Sequence, residues 1–379
     1  MNDAEPFVSV VTPFYNTGQY IAQCIESVLA QTYRNFEYIL CDNQSTDGSA
    51  QIAASYAAKD SRIKLLKSPR FLTAESNYSF ALQHIDPASR YTKMVLADDY
   101  LFPPCITEMV RLASKYPSVQ LVSSYGIWED YVGGGGLHAS CEFLSGRETC
   151  RLHLFNKMFL FGTPSTVLYT SDVVRKNKPF FQDGHIHEDT EIAFRILEKH
   201  DFGFVHQVLS FTRVQQDSRQ GLVRSYRPRQ LDRLMIVKKY GRNFLDEEEY
   251  KTVLDAAVSG FYRGLATEWL LDRVRTHNKG FWDYQQKGLD TLGETIDEGL
   301  LRKHVAKVLL EGAFNWGRAA PYVWRKLKKR VRKPAQAPVA PSSPVAAPSK
   351  PDHWPDFERI PESKRMPSAP QHKPPHVAK

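Results

Sequence analysis

Carboxylates placed at the ends of apolar runs are the residues of this chain with chemistry to do. Asp42 closes the run Phe36 to Cys41 and opens a polar turn, Asp42-Asn-Gln-Ser-Thr-Asp-Gly-Ser49. Asp98-Asp99 follows directly on Met94-Val-Leu-Ala97, and Glu188-Asp189 starts the amphipathic stretch that ends at Leu197. Paired carboxylates in a loop are hard oxygen donors. Magnesium or manganese is typically held by one or two of them, with phosphate oxygens and water completing the shell. A solvated turn also carries such pairs, and acids in a first helical turn suit the helix dipole. A further polar segment, Thr12-Pro-Phe-Tyr-Asn16, ends the β-branched run Val8 to Val11. Together with Asp42 to Ser49 it has the spacing of two strand-end loops that could hold a nucleotide.

The elements that must position these residues read from periodicity. Val8 to Val11 is a strand, and the chain is expected to turn at Thr12-Pro13 because proline has no amide hydrogen for a central ladder. From Gly18 onward Tyr20, Ile21, Cys24, Ile25, Val28 and Leu29 recur at helix spacing. A second strand, Phe36 to Cys41, leads through turn formers to a helix carrying Ile52, Ala53, Tyr56 and Ala57. Ile63 to Leu66 leads to a helix from Ala74 to Ile85, and Tyr91 to Leu96 to a helix beginning near Pro103-Pro104. Four strand–helix alternations predict a parallel sheet with helices on both faces. Ligands bind such sheets at the carboxyl ends of the strands, so the loops at Thr12 to Asn16, Asp42 to Ser45 and Asp98-Asp99 are expected to converge on one crevice. Leu121 to Ser124 reads as another strand, and residues 163 to 174 as a strand entering a short helix. The glycines of Tyr131-Val-Gly-Gly-Gly-Gly-Leu137 read as a flexible loop or hairpin tip, since the lysine and helix of a phosphate cradle do not follow.

Composition narrows the class. The 379 residues have the apolar and charged fractions of an ordinary soluble protein. The five cysteines are odd in number and sit at no metal-ligand spacing, which predicts reduced thiols. No run approaches the roughly 18 apolar residues of a membrane span, and the amino terminus lacks the basic start and apolar core of a signal peptide, so a cytoplasmic location is expected. Much of the net charge of +8 sits in Arg325-Lys-Leu-Lys-Lys-Arg-Val-Arg-Lys333. Aromatics are not interleaved with basic residues in the rest of the chain, so no nucleic-acid partner is expected. Trp316, Tyr322, Trp324 and Leu327 beside those cations read either as an interfacial helix on anionic lipid at the inner membrane face, spanning 316–333, or as a solvated helix end. The expected organisation is an α/β domain over 1–230, a helical region over 231–333 with Val253, Ala257, Phe261 and Leu265 on one face, and a Pro-rich tail over 334–379 with too few aliphatics to form a core.

Pro13-Phe-Tyr-Asn16, Cys41-Asp-Asn-Gln-Ser-Thr-Asp-Gly-Ser49, Ala97-Asp-Asp99 and Glu188-Asp189, in that order, resemble the family 2 glycosyltransferases of GT-A fold, the inverting enzymes that use nucleotide-diphosphate sugars. The resemblance runs from about Ser9 to about Ser218. It implies an α/β fold with a mostly parallel sheet flanked by helices, the helical region being a carboxyl-terminal appendage. It also implies a hexosyltransferase-like activity dependent on Mn2+ or Mg2+, with a nucleotide-sugar donor, UDP-linked by preference. The acceptor would be a glycan or a lipid-linked acceptor in surface polysaccharide or glycoconjugate synthesis.

Residue by residue, the resemblance gives Tyr15 the base-packing ring and Thr12 and Pro13 the backbone around the base. Asp42 becomes the acceptor of a base hydrogen bond, for which the imide N–H of uracil is the natural donor. Asp98 would contact ribose or donor sugar, and Asp99 would hold the metal. Arg70 matches a base or phosphate contact or is a solvated arginine. Asn77 matches a recurrent asparagine or makes a helix-start hydrogen bond. Glu188-Asp189 matches the pair that supplies the catalytic base, with Asp189 favoured. Two departures stand out: Leu96 occupies a position often filled by aspartate, and Gln215 stands where many members have histidine, which leaves Arg213 as the phosphate contact. The Gln-x-x-Arg-Trp signature of processive synthases is absent. Leu96 and Gln215 also give some support to an alternative, a nucleotide-binding scaffold that has lost turnover.

Overall fold

The computed structural model describes residues 5–128, 131–182, 188–213, 226–274 and 277–314. The apolar runs of the amino-terminal half form β1 (Val8–Phe14), β2 (Phe36–Asp42), β3 (Ile63–Lys67) and β4 (Tyr91–Met94), paired in parallel in the order β3-β2-β1-β4. Crossing between them are α1 (Ile21–Leu29), α2 (Ser49–Ala57) and α3 (Ala74–Leu82). Every residue of β1 and β2 is buried, as strands covered on both faces must be, and their sequences are correspondingly near-continuous apolar runs.

The turn expected at Thr12-Pro13 does not occur. β1 continues through both residues, with Thr12 opposite Leu40 and Pro13 opposite Cys41. The hydrogen bonds explain why. Val8 N donates to Asn35 O and Asn43 N to Phe14 O on the β2 side, whereas Val95 N reaches Val11 O on the β4 side. Even-numbered residues of β1 therefore bond toward β2 and odd-numbered ones toward β4. Pro13 faces β4, whose pairing with β1 stops at Met94, so no ladder bond is lost.

Further elements are β5 (Tyr100–Leu101), α4 (Cys105–Lys115), β6 (Val119–Trp128), β7 (Tyr131–Gly133), β8 (Phe143–Leu144), α5 (Gly146–Leu154), a 3-10 turn at Pro164–Thr166, β9 (Val167–Thr170), α6 (Ser171–Lys176), α7 (Glu188–Leu197) and β10 (Asp201–Thr212). The ten-stranded sheet runs β3-β2-β1-β4-β9-β6-β10-β5, with β7 beside β6 and β8 beside β10. β10 is parallel to β6, while β9 is antiparallel to both β4 and β6. A strand that begins from a turn at the carboxyl edge has to run back across the sheet, and β9 begins directly after Pro164–Thr166. The glycine run leaves the β6–β7 hairpin, with Gly133 paired to Gly126, and does not form its tip.

Among the described residues four helices follow: α8 (Pro228–Phe244), α9 (Glu247–Leu271), α10 (Lys279–Asp290) and α11 (Glu298–Phe314). Asp246 starts α9 with a reciprocal cap, its side chain accepting from Glu249 N. Val253, Ala257, Phe261 and Leu265 are buried, and one apolar cluster runs from Val11 and Ile39 of the sheet to these residues. Phe194 of α7 joins the layers, with ring centroids 5.7 Å from Tyr240 and 5.5 Å from Phe244. All five cysteines are free. Burial pushes the thiols of Cys24 and Cys41 up to about 12, which keeps both protonated. Among the described residues no helix is long and apolar enough to cross a membrane. Gln215, the segment 316–333 and the tail lie outside the described residues.

Candidate active site

The carboxyl ends of β1 and β2 lie side by side, Phe14 opposite Asp42, and the loops that leave them are stitched together. Asn16 N donates to Ser45 Oγ at 3.1 Å, Thr46 N to Asn16 Oδ1 at 2.8 Å, Thr17 N to Ser49 Oγ at 2.8 Å and Gly18 N to Asp47 Oδ2 at 2.8 Å. Asn16 and Gln44 take positive φ, 49° and 67°, which their short polar or amide side chains make tolerable in a turn. Asp42 is buried, and its Oδ1 accepts from Ser45 N at 2.9 Å, which fixes the carboxylate plane. Thr12, expected to lend its backbone to the base, is fully buried: its hydroxyl lies 3.0 Å from the Tyr38 hydroxyl and its backbone sits in the ladder opposite Leu40, so it is not presented to a ligand. Tyr15 is 43% exposed.

The loop after β3 folds back onto this pair. Asn43 holds it: Nδ2 donates to Leu72 O at 2.9 Å, and Oδ1 accepts from Leu72 N at 3.0 Å and from the Ser68 hydroxyl at 3.2 Å. Arg70 and Phe71, both exposed, are thereby carried beside Asp42 and Tyr15. Asn77 lies deeper, its Oδ1 accepting from the Cys41 thiol at 3.7 Å; the cap of α3 is made by Thr73 instead, which accepts from Ser76 N.

Asp98 and Asp99 occupy the turn between β4 and β5. Asp99 is almost fully buried, and three donors reach its carboxylate: the Ser165 hydroxyl at 2.5 Å, the Thr212 hydroxyl at 3.4 Å and Arg213 N at 3.1 Å. Ser165 also accepts from Leu96 N at 3.0 Å, so the 3-10 turn and the aspartate turn brace each other. Gly162 makes that approach possible. Its φ is +62°, and a Cβ there would stand 2.1 Å from Thr166 Oγ1. Lys93 supports the same turn from below, fully buried, its Nζ donating to Ser165 O at 2.5 Å and Val167 O at 3.0 Å. Arg213 ties the turn to α1. Its Nε donates to Asp98 O at 2.8 Å, its terminal nitrogen reaches Gln23 Oε1, and its guanidinium lies 4.7 Å above the Tyr20 ring.

Burial, then the charge of Asp98, raises the proton affinity of Asp99; burial also raises that of Asp98, against the nearby Arg213. Two adjacent carboxylates that resist sharing a negative charge are relieved by a divalent cation. The pair is of the donor type that Mg2+ or Mn2+ take, one or two protein carboxylates with phosphate oxygen and water in the remaining positions; among the described residues no third carboxylate, histidine or cysteine joins it.

At the start of α7, Glu188 is buried and Asp189 partly so. Asp189 Oδ1 accepts from Thr190 N at 2.6 Å, and its charge adds to burial in pushing the Tyr169 hydroxyl up, which sets it near β9.

The structure thus brings Tyr15, Asp42 and Arg70 into one group and Asp98, Asp99 and Arg213 into a second, linked through α1. Ser165, Thr212, Lys93 and Phe71 were not anticipated. For Lys93 a signal exists, a lysine within the apolar strand Tyr91-Thr-Lys-Met-Val95; the two hydroxyl residues carry none.

Residues 9–174 match the family model described as glycosyl transferase family 2. It is the family the motifs resemble. The matched segment holds Asp42, Asp98 and Asp99 and stops short of α7 and β10. EpsE of Bacillus subtilis is 37% identical over 120 residues, 31% of this chain and 42% of EpsE. Glycosyltransferase GlyG of Streptococcus pneumoniae is 24% identical over 194 residues, 50% of this chain and 64% of GlyG. The matched stretch therefore spans less than two thirds of either relative. Among solved structures, Staphylococcus aureus TarS 1–349 in complex with UDP-GlcNAc superposes with a TM-score of 0.55 at 15% identity, over 74% of this chain and 79% of that one. Mannosyltransferase PcManGT of Pyrobaculum calidifontis, in complex with GDP-Man and Mn2+, gives 0.52 at 15% identity over 86% and 85%. The fold is GT-A-like: a mixed α/β sheet flanked by helices, extended by carboxyl-terminal helices.

Proposed function

We propose that the protein is an inverting, metal-dependent glycosyltransferase that moves a sugar from a nucleotide-diphosphate donor, UDP-linked by preference, to a glycan or lipid-linked acceptor. The observation that carries the reading is the buried Asp99 carboxylate, oriented by three donors beside Asp98 at the same sheet edge as Asp42 and Tyr15. Complexes of fold neighbours with UDP-GlcNAc and with GDP-Man and Mn2+ support the donor class.

Tyr15, Asp42, Arg70 and the backbone at Pro13 take the nucleoside. Asp98 takes ribose or donor sugar, Arg213 a phosphate oxygen, and Asp99 the metal. When bound, Mn2+ or Mg2+ offsets the charge that builds on the leaving diphosphate. Asp189, with Glu188 beside it, accepts the proton of the acceptor hydroxyl. The hydroxyl oxygen bonds to the anomeric carbon as the carbon–oxygen bond to the diphosphate breaks on the opposite face. A single displacement of this kind inverts the centre, so an α-linked donor gives a β-linked product. A positioned carboxylate base contributes about 10² to 10⁴ in rate. The reaction is assigned to the cytoplasm; 316–333 either contacts anionic lipid or is a solvated helix end, which sedimentation on anionic vesicles with and without those residues decides.

Nucleotide release from a panel of UDP-, GDP- and dTDP-sugars with manganese and glycan or lipid acceptors tests the reading. Turnover that vanishes in Asp99→Asn supports it. Donor binding without turnover, indifferent to Asp189→Asn, would instead identify a scaffold, and failure to bind any nucleotide sugar would end the proposal.

A further inference from the structure

Phe71 is among the most exposed large apolar side chains of the described residues, at 61%, and it touches another exposed ring. Its centroid lies 4.8 Å from that of Tyr15, and the two planes meet at 63°. Single exposed rings are ordinary on a protein surface; two meeting edge to face near a buried carboxylate at the carboxyl edge of a sheet make an angled aromatic surface. We propose that Tyr15 and Phe71 form an aromatic corner that receives the uracil or thymine ring of the donor, one ring stacking on the base and the other closing its side. The inference rests on the donor reading above and deepens it, since Phe71 has no part in the motifs that suggested that reading.

The corner is held rigidly. Asn43 is buried next to Asp42 and fastens both backbone groups of Leu72, the residue after Phe71, with hydrogen bonds of 2.9 and 3.0 Å. The Ser68 hydroxyl donates to Asn43 Oδ1 or Arg70 O, at 3.2 and 2.8 Å, and Ser68 N donates to Asp42 O at 2.9 Å. The backbone on both sides of Phe71 is therefore held relative to Asp42, so only its side chain is left to order when a ligand arrives.

The same contacts indicate which base fits. Asp42 Oδ1 already accepts from Ser45 N, which leaves Oδ2 the oxygen with more acceptor capacity for a ligand. One acceptor suits the single imide N–H of uracil or thymine. Guanine presents two adjacent donors on its Watson–Crick edge, which a carboxylate meets with both oxygens. Arg70, exposed at the same loop, adds a cation for a carbonyl or phosphate oxygen of the same ligand.

Binding of UDP, GDP and pyrophosphate, each with Mn2+, would be measured by calorimetry on the full chain for wild type, Phe71→Ala and Phe71→Tyr. Stacking losses on alanine substitution predict that Phe71→Ala weakens UDP binding by about tenfold or more. Pyrophosphate binding should stay unchanged, Phe71→Tyr should retain UDP affinity, and wild type should prefer UDP to GDP. The side chain is largely exposed, so ligand-free melting of the variant should match wild type. Wild-type UDP affinity in Phe71→Ala, or equal losses of UDP and pyrophosphate, would overturn the corner while leaving the donor reading intact. A wild-type protein that binds no nucleoside diphosphate would overturn both.

Discussion

Lys93 offers a quantitative test of how the site is supported. Its ammonium is fully buried on β4 and bonded to two carbonyl oxygens, and burial pushes its pKa down from 10.5 to about 8, against the opposing pull of Cys105 and Asp99. Between those two values the unfolded chain holds a proton that the folded chain has released, so stability rises with pH through the window. At about 1.4 kcal/mol per unit, a pKa of about 8 in place of 10.5 means that keeping Lys93 charged at neutral pH costs about 3 kcal/mol. Lys93→Met removes that cost and strands the carbonyls of Ser165 and Val167, at roughly 1 kcal/mol each. The variant should therefore stay within about 1 kcal/mol of wild type at pH 7, although a central strand has been altered. At pH 9.5 wild type recovers about 2 kcal/mol that the variant has no means to recover. Urea denaturation of both proteins at pH 7 and 9.5 reads the difference directly. Groups that do not feel the Lys93 charge, such as the Cys24 and Cys41 thiols, cancel between the two proteins. A stability gap that is the same at the two pH values would refute the reasoning, because Lys93 would then carry its charge at no cost. The variant should also lower turnover through the loosened Ser165–Asp99 contact, without changing UDP affinity in the absence of metal.

Asp189→Asn keeps shape and hydrogen bonding while removing the base, so kcat should fall by about 10² to 10⁴ with donor affinity unchanged in a UDP-sugar titration. Ser165→Ala and Thr212→Val each strip one donor from Asp99; each should raise the Mn2+ concentration needed for half-maximal rate, and the double variant should raise it more than either alone. Gly146→Ala puts a Cβ 2.1 Å from His200 O and 2.2 Å from Leu197 O, both backbone atoms, so it should destabilise by at least about 2 kcal/mol in thermal melts, an order of cost seen when packing is violated.

What could be read from the sequence divides along physical lines. β1, β2 and β4 were visible because strands buried on both faces are continuous apolar runs, and Asp42 and Asp98-Asp99 because they sit where those runs stop. Pro13 misled because the rule against proline in central strands assumes a ladder on both sides, whereas β4 has stopped pairing by then. The antiparallel course of β9 had no local signal. Its direction follows from where the preceding turn is anchored, on Asp99, and that anchor is a tertiary contact. Ser165 and Thr212 were invisible for the same reason: they lie 66 and 113 residues from Asp99, and an uncharged hydroxyl in a strand or turn looks like any other. Phe71 reads as an ordinary loop aromatic until Asn43 is seen to hold it beside Tyr15.

β10 has a bearing on where this protein can be divided. It runs between β6 and β5, and it delivers Thr212 and Arg213 to Asp99, yet it begins 27 positions beyond the segment that matches the family, at Asp201 against residue 174. A shortened protein ending at residue 174 would uncover the edge of β6 and leave Asp99 with one of its three described donors, giving a sticky fragment in place of a smaller transferase. A hybrid that borrows a relative's carboxyl-terminal half, joined anywhere between β6 and β10, would import that relative's contacts to Asp99. On the proposed reading the two halves of the transfer are therefore not separable cassettes here: any junction for exchange has to keep Thr212 and Arg213 with Asp99.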